Sequence, residues 1–241
     1  MWWFKVLNIC RISAGVSSFI AGYLNRNEID EFIYIDIDDQ EEDTMRFIKD
    51  CEKALGKKIT ILKSEYGCVE NAILSAGVIY MRGGFAPCTN YLKKRVRKQW
   101  EDAHKNEEIT YYWGMDVNEV ERAERLRESM PNFNHRFPLI ENHLTKESSH
   151  AILQELGIKR PKMYELGYPN NNCVGCVKGG MGYWNKIRKD FPEVFEKRSK
   201  MEQKIGHSIL KECYLADLDE NRGNNKEIFP ECDIFCMIQR R

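Results

Sequence analysis

Apolar and polar positions along this chain switch repeatedly between two periods. Residues Phe4–Ile12, FKVLNICRI, are rich in β-branched and large apolar side chains and suit a buried strand. After a run of small residues, Phe19, Ile20, Tyr23 and Leu24 fall at helical spacing. The same switch recurs downstream. Phe32–Ile37, Lys58–Lys63, Glu108–Trp113 and Phe137–Glu141 read as four further strands. Helices are predicted over Thr44–Leu55, Glu70–Ile79, Tyr91–His104 and Glu119–Leu126, and from Thr145 to Leu156. Gly56 and Gly157 stand where helix ends want a left-handed residue, and Thr145 stands where an N-cap is wanted. Strands alternating with helices predict an α/β fold, a doubly wound, mostly parallel five-stranded sheet.

The pattern changes near Arg160-Pro161, beyond which strand-like runs are few. Turn chemistry over Tyr168–Asn172 is followed by predicted helices at Tyr183–Lys189 and Pro192–Ile205, and a loop at Asn221–Asn225. The expected organisation is an α/β domain over 1–158 and a small helical, cysteine-rich C-terminal region over 159–241 packed on it. A chain of 241 residues can bury a large core. Its 37 basic and 37 acidic side chains cancel, which argues against a protein that coats nucleic acid but permits a local basic patch. No apolar run approaches the ~18 residues of a membrane span, so no membrane association is expected. The first residues lack the pattern of a signal peptide, and the expected location is cytoplasmic. In that compartment the nine cysteines read as thiols or metal ligands rather than disulfides.

Five places carry candidate chemistry. Ser13, Ala14, Gly15, Val16, Ser17 and Ser18 lie between a strand and a helix, where free backbone N–H groups and small side chains suit a phosphate. An ordinary small βα turn is the plainer account. Asp36 and Asp38 end the second strand, where an acid can hold a ribose hydroxyl or a phosphate-bound Mg²⁺, or simply begin a helix. Asp39, Glu41, Glu42 and Asp43 read as that helix start. Arg122 and Arg125 follow the fourth strand and suit a planar anion, or pair with Glu119, Glu121 and Glu128 along their own helix. The helix from Tyr91 carries Lys93, Lys94, Arg95, Arg97 and Lys98, a solvated face or a surface for polyphosphate or nucleic acid. Cys173-Val174-Gly175-Cys176 is a C-x-x-C pair, and Cys232 and Cys236 follow with three residues between them. Together they make a four-thiolate set for Zn²⁺ or an iron–sulfur cluster, with free thiols as the alternative. Cys10 and Cys51 read as buried small hydrophobes, while Cys68 and Cys213 have no assigned place.

Taken in order, these motifs resemble the PAPS reductase branch of the N-type ATP pyrophosphatases, the adenine nucleotide alpha-hydrolase-like or HUP class. Ser13–Ser18 resembles the SGGxDS phosphate loop. Gly114–Arg122 resembles the family's G-x-R-x-x-E-S-x-x-R segment. Cys88 with Lys93 and Lys94, then Cys173 and Cys176, look like its two cysteine motifs, and Glu231–Phe235 its ECG(I/L)H tail. Departures are plain: Ala14 replaces a loop glycine, Ser17 its aspartate and Asp116 an arginine, and Phe235 stands for the tail histidine. They point to a divergent member, of the kind found in phage genomes and DNA phosphorothioation systems.

The resemblance implies ATP or a related adenine nucleotide with Mg²⁺, held by Ser13–Ser18, Gly114, Arg122 and Arg125 beside Asp36 or Asp38. Ser13, Ser18, Asp36 and Arg122 would act on the phosphates. It also implies a [4Fe-4S] cluster, or Zn²⁺, on Cys173, Cys176, Cys232 and Cys236, with Cys88 as a substitute ligand. Three functions follow. One is ATP-dependent sulfur transfer to a nucleic acid, a sulfur carrier or another acceptor, by a chain that can pair as a homodimer. Another is thiol-dependent reduction of a nucleotide sulfate with Cys232 as nucleophile. The third is a nucleotide-binding, metal-stapled interaction protein without turnover.

Overall fold

A computed structural model describes residues 5–82 and 84–223. Two compact units divide the chain, one of residues 5–35, 42–62 and 98–167, the other of 36–41, 63–97 and 168–223. The five strands are β1 (Val6–Ile12), β2 (Glu31–Asp36), β3 (Ile59–Lys63), β4 (Glu108–Tyr112) and β5 (Asn134–Arg136). They form one sheet in the order β3-β2-β1-β4-β5. β1 pairs in parallel with β2 and with β4, and β4 pairs in parallel with β5. The chain moves outward from β1 through β2 and β3, then returns to the other side of β1 with β4. The reversal makes the carboxyl ends of β1 and β4 the switch point at which such sheets take ligands.

The main helices are α1 (Val16–Leu24), α2 (Thr44–Leu55), α3 (Val69–Ala76), α4 (Arg95–Ala103), α5 (Val120–Ser129), α6 (Lys146–Glu155), α7 (Met181–Asp190) and α8 (Pro192–Ile205). Their ends follow local chemistry. Gly56 closes α2 at φ +65° and Gly157 follows α6 at φ +68°. The Thr145 side chain accepts from Ser148 N at 3.2 Å at the start of α6. In the first unit, Cys10, Ile12, Phe19, Ile20, Phe32, Tyr34, Phe47 and Cys51 form one buried cluster, to which α6 adds Leu153. Cys10 and Cys51 are therefore core residues, and burial raises both thiols above their ordinary value. In the second unit, Trp184, Val177, Ile187 and Leu215 are fully buried. Glu202 is buried among them and accepts from Ile209 N at 2.8 Å and from Leu215 N.

Two predicted elements differ. The strand expected over Phe137–Glu141 lies instead at Asn134–Arg136, and Pro138–Glu141 is a short helix. Pro138 has no N–H for a ladder and fits the first turn of a helix. The apolar run is still buried, with Leu139 fully covered, so burial identified the segment but not its conformation. The helix expected over Tyr91–His104 is α4 preceded by a π-helical turn at Asn90–Lys94. No helix among the described residues is long and apolar enough to cross a membrane.

Candidate functional site

The loop after β1 is closed by its own hydroxyls. Ser13 N donates to Ser18 Oγ at 2.9 Å, and the Ser13 hydroxyl donates to the same oxygen at 3.0 Å. Ser18 in turn donates to the carbonyl of Gly15 at 2.9 Å. These bonds fold the six residues back on the first turn of α1. Ala14 sits at φ +59° and is fully buried. A left-handed residue with a Cβ costs about 1–2 kcal/mol. The glycine of the SGGxDS pattern thus stands where the backbone demands its freedom, and Ala14 carries the strain.

Gly114, two residues beyond β4, completes the arrangement. A Cβ built there would lie 2.4 Å from Ser18 Cα and 2.5 Å from Ser18 N. Only a residue without a side chain lets β4 end against the backbone that opens α1. The first N–H groups of a helix have no partner within it and favour negative charge. At this end of α1, Val16 N points to the Tyr164 hydroxyl at 3.4 Å. His150 lies edge-on to the Tyr164 ring at 4.9 Å, and burial, assisted by Lys146 and Arg160, lowers its pKa below the ordinary 6.5. Tyr164 had no sequence signal, since it is 148 residues from Val16.

The arginines after β4 are engaged along their own helix. Asp116 accepts from Asn118 N at 2.8 Å, while Glu119 accepts from Asp116 N at 3.1 Å, a capping box. Arg122 pairs with Glu119, and Arg125 with Glu121 at 3.7 Å. Asp116 is therefore a helix cap where the resembling pattern has an arginine.

In the second unit, Asp36 and Asp38 share Lys63 Nζ at 3.6 and 2.5 Å. Asp39, read from sequence as part of a solvated helix start, is partly buried, with its side chain 9% exposed. Its carboxylate accepts from Val69 N and from Arg198 Nη2, both at 2.5 Å, and its carbonyl accepts from Val174 N at 2.7 Å. Val174 lies inside the C-x-x-C turn. Cys176 N donates to the Tyr183 hydroxyl at 2.9 Å, and Arg198 Nε donates to the Gly175 carbonyl at 3.1 Å. Gly175 is at φ +69°, and a Cβ there would lie 2.5 Å from Val194 Cγ1 of α8. Cys173 and Cys176 are both buried.

Asp39, Tyr183 and Arg198 thus join the predicted pair although no local motif marks them. Among the described residues, no group of three or more His, Cys, Asp or Glu side chains is arranged to hold a metal, so Cys88 does not complete one with Cys173 and Cys176. Cys88 is buried in the turn before Asn90. Cys232 and Cys236 lie outside the described residues. Two buried thiols on one braced turn fit half of a tetrahedral site. Of the basic run, Arg95 lies over the Tyr91 ring at 4.0 Å, and Lys98 pairs with Asp102 at 3.1 Å.

No protein-family model matches the chain. Over 175 residues it is 23% identical to an uncharacterized protein of Methanocaldococcus jannaschii. That match covers 69% of this chain and 35% of the relative, so the chain spans about a third of the relative's length. Among solved structures it is similar to the phosphoadenylyl-sulfate (PAPS) reductase of Candida auris in its phosphate complex, with a TM-score of 0.50 and 11% identity. The likeness covers 71% of this chain and 82% of that one. The expected α/β architecture is the one found, a parallel sheet flanked by helices with the fold of a PAPS reductase.

Proposed function

We propose that the chain is a PAPS reductase-like enzyme, an ATP pyrophosphatase that binds an adenine nucleotide at Ser13–Ser18 and serves sulfur transfer to a nucleic acid or another acceptor. The observation that carries this reading is the contact of Gly114 with the start of α1, at the switch point of the sheet. A loop closed by serine hydroxyls, opening onto a helix N-terminus, is suited to neutralise charge on phosphate oxygens. Arg122 and Arg125 would add cationic donors once turned from their own carboxylates. Cys173 and Cys176, with Cys232 and Cys236, would hold a [4Fe-4S] cluster or Zn²⁺. A cluster would supply electrons or sulfide, and this chain's part is to fix and shield its thiolates.

The test is calorimetric titration of the full chain with ATP and with PAPS, joined to assay of pyrophosphate release and to iron, sulfide and zinc analysis. Ser18→Ala is expected to slow pyrophosphate release at least about tenfold, as loss of a group that shapes a charge-stabilising loop does. Absence of adenine-nucleotide binding, or release unchanged in a folded Gly114→Ala variant, overturns the reading. PAPS reduction that is lost in Cys232→Ser would replace it with the thiol-dependent reductase.

A further inference from the structure

His135 of β5 lies between two fixed partners. The Trp113 indole Nε1 donates to His135 Nδ1 at 3.0 Å, and His135 Nε2 meets the Met130 carbonyl at 2.9 Å. An indole N–H can only donate and a carbonyl can only accept. Both bonds therefore form together only on a neutral ring that carries its proton on Nε2. A second proton would go to Nδ1, against the indole N–H, and that bond would be lost. The Met130 bond would survive, because Met130 ends α5 and a helix C-terminus favours a cation. One proton thus decides whether Trp113 keeps its acceptor. The titratable and charged groups around the ring come from four elements. The Tyr111 ring of β4 stacks on His135 at 6.4 Å, and its hydroxyl donates to Glu101 of α4 at 2.8 Å. Arg11 of β1 lies over the Trp113 ring at 5.9 Å, Arg127 of α5 over the Phe137 ring at 4.7 Å, and Arg136 pairs with Glu141 at 2.8 Å.

Trp113 is the residue before Gly114. It is buried, and its backbone N–H donates to the Arg136 carbonyl at 3.0 Å, so β5 holds both its main chain and its indole. At Gly114 the end of β4 meets the backbone of Ser17 and Ser18 with no room for a Cβ, so a shift of Trp113 reaches the serine loop directly. We propose that neutral His135 is a positioning residue for the serine loop: by accepting from Trp113 it fixes Gly114 against the start of α1, and its protonation releases that hold. The proposal rests on the reading of Ser13–Ser18 as an adenine-nucleotide site. An imidazole in water takes its second proton near about pH 6.5, so the release belongs to mildly acid conditions.

The experiment follows two readouts on the full chain from about pH 7.5 to about pH 5.5, across the ordinary range of an imidazole. One is the Trp113 indole N–H resonance in ¹H–¹⁵N NMR spectra, assigned by its absence in Trp113→Phe. The other is pyrophosphate release from ATP. In wild type the resonance is expected to move with the same midpoint at which release falls about 2–10-fold, the worth of one hydrogen bond. His135→Asn offers an amide oxygen where Nδ1 stands and cannot titrate. It is expected to keep release near the wild-type level at neutral pH and to lose the His135-dependent part of the acid step. Nucleotide phosphates titrate in this range too, and the comparison with His135→Asn removes their share. His135→Phe, with a ring but no acceptor, is expected to release pyrophosphate slowly at both ends of the range. An indole resonance that stays fixed through the titration overturns the proposal in wild type alone, whether or not the variants fold. An acid step of full size in folded His135→Asn, or wild-type release at neutral pH in folded His135→Phe, overturns it as well. Wild type that binds no ATP near pH 7.5 overturns the nucleotide reading itself, which is told apart because the indole titration needs no nucleotide.

Discussion

The serine loop and the C-x-x-C turn are both runs of small residues with a tightly fixed backbone, but they are fixed from different distances. Ser13 and Ser18 tie the loop within five residues, and two remote positions, Gly114 and Tyr164, meet it from outside. The C-x-x-C turn is held by residues outside it. Its braces come from Asp39, far earlier in the chain, and from Tyr183 and Arg198 on two later helices. A hydrogen bond between near neighbours costs little loop-closure entropy, whereas remote partners must be brought together by the fold. The loop is therefore expected to tolerate loss of a hydroxyl, and the turn to fail when its packing is disturbed.

The largest effect is expected at Gly175. Gly175→Ala meets both the left-handed penalty of about 1–2 kcal/mol and the overpacking penalty of about 1–3 kcal/mol, since Val194 lies in the path of the new Cβ. Urea melts should show a loss near the sum of the two. An effect below about 1 kcal/mol would show that α8 yields at Val194 and that the turn is not rigid. Glu202→Gln comes next. The carboxylate accepts from two backbone N–H groups, and an amide supplies only one acceptor, so a loss of about 1–3 kcal/mol is expected by the same measurement.

Glu202 differs from the paired carboxylates of the sheet-bearing unit in the sign of its response to acid. Burial raises the Glu202 pKa above its ordinary 4.5. The folded state then holds the extra proton, and stability falls as pH rises from 4.5 through the folded value. In the sheet-bearing unit, the Arg136 partner holds Glu141 below its ordinary 4.5 and the Arg46 partner holds Asp43 below 3.8. Their contribution is complete above those ordinary values and is lost as pH falls through the folded ones. His150, lowered by burial, adds a loss of stability as pH drops below 6.5. Melting temperatures across pH 3–8 in wild type and Glu202→Gln separate these, since only the rise-dependent loss should vanish in the variant.

The smallest effects are expected in the serine loop. Ser18→Ala leaves Ser13 N without its acceptor and should cost about 1 kcal/mol of stability. Ala14→Gly relieves the left-handed strain but adds freedom to the unfolded chain, so the net change should stay within about 1 kcal/mol. A much larger loss in either variant would mean that the loop depends on remote packing as the turn does.

The amino-acid sequence by itself determined the alternation of strands and helices, the caps at Gly56, Thr145 and Gly157, the small-residue loop and the C-x-x-C pair. Each of these rests on period or on chemistry between near neighbours, which a string of residues displays directly. It misplaced β5, because an apolar run reports burial and only Pro138 and the ladder with β4 decide between strand and helix. Tertiary structure alone decided that Gly114 touches Ser18, that Tyr164 faces the start of α1, and that Asp39 is a hydrogen-bonded hub rather than a solvated acid. The reason is the same in each case. Asp39 and Arg198 are 159 residues apart, and neither carries a local pattern that foretells the other. Their pairing exists because the folded chain leaves no water to take its place, and a buried charge then requires a partner wherever the chain can supply one.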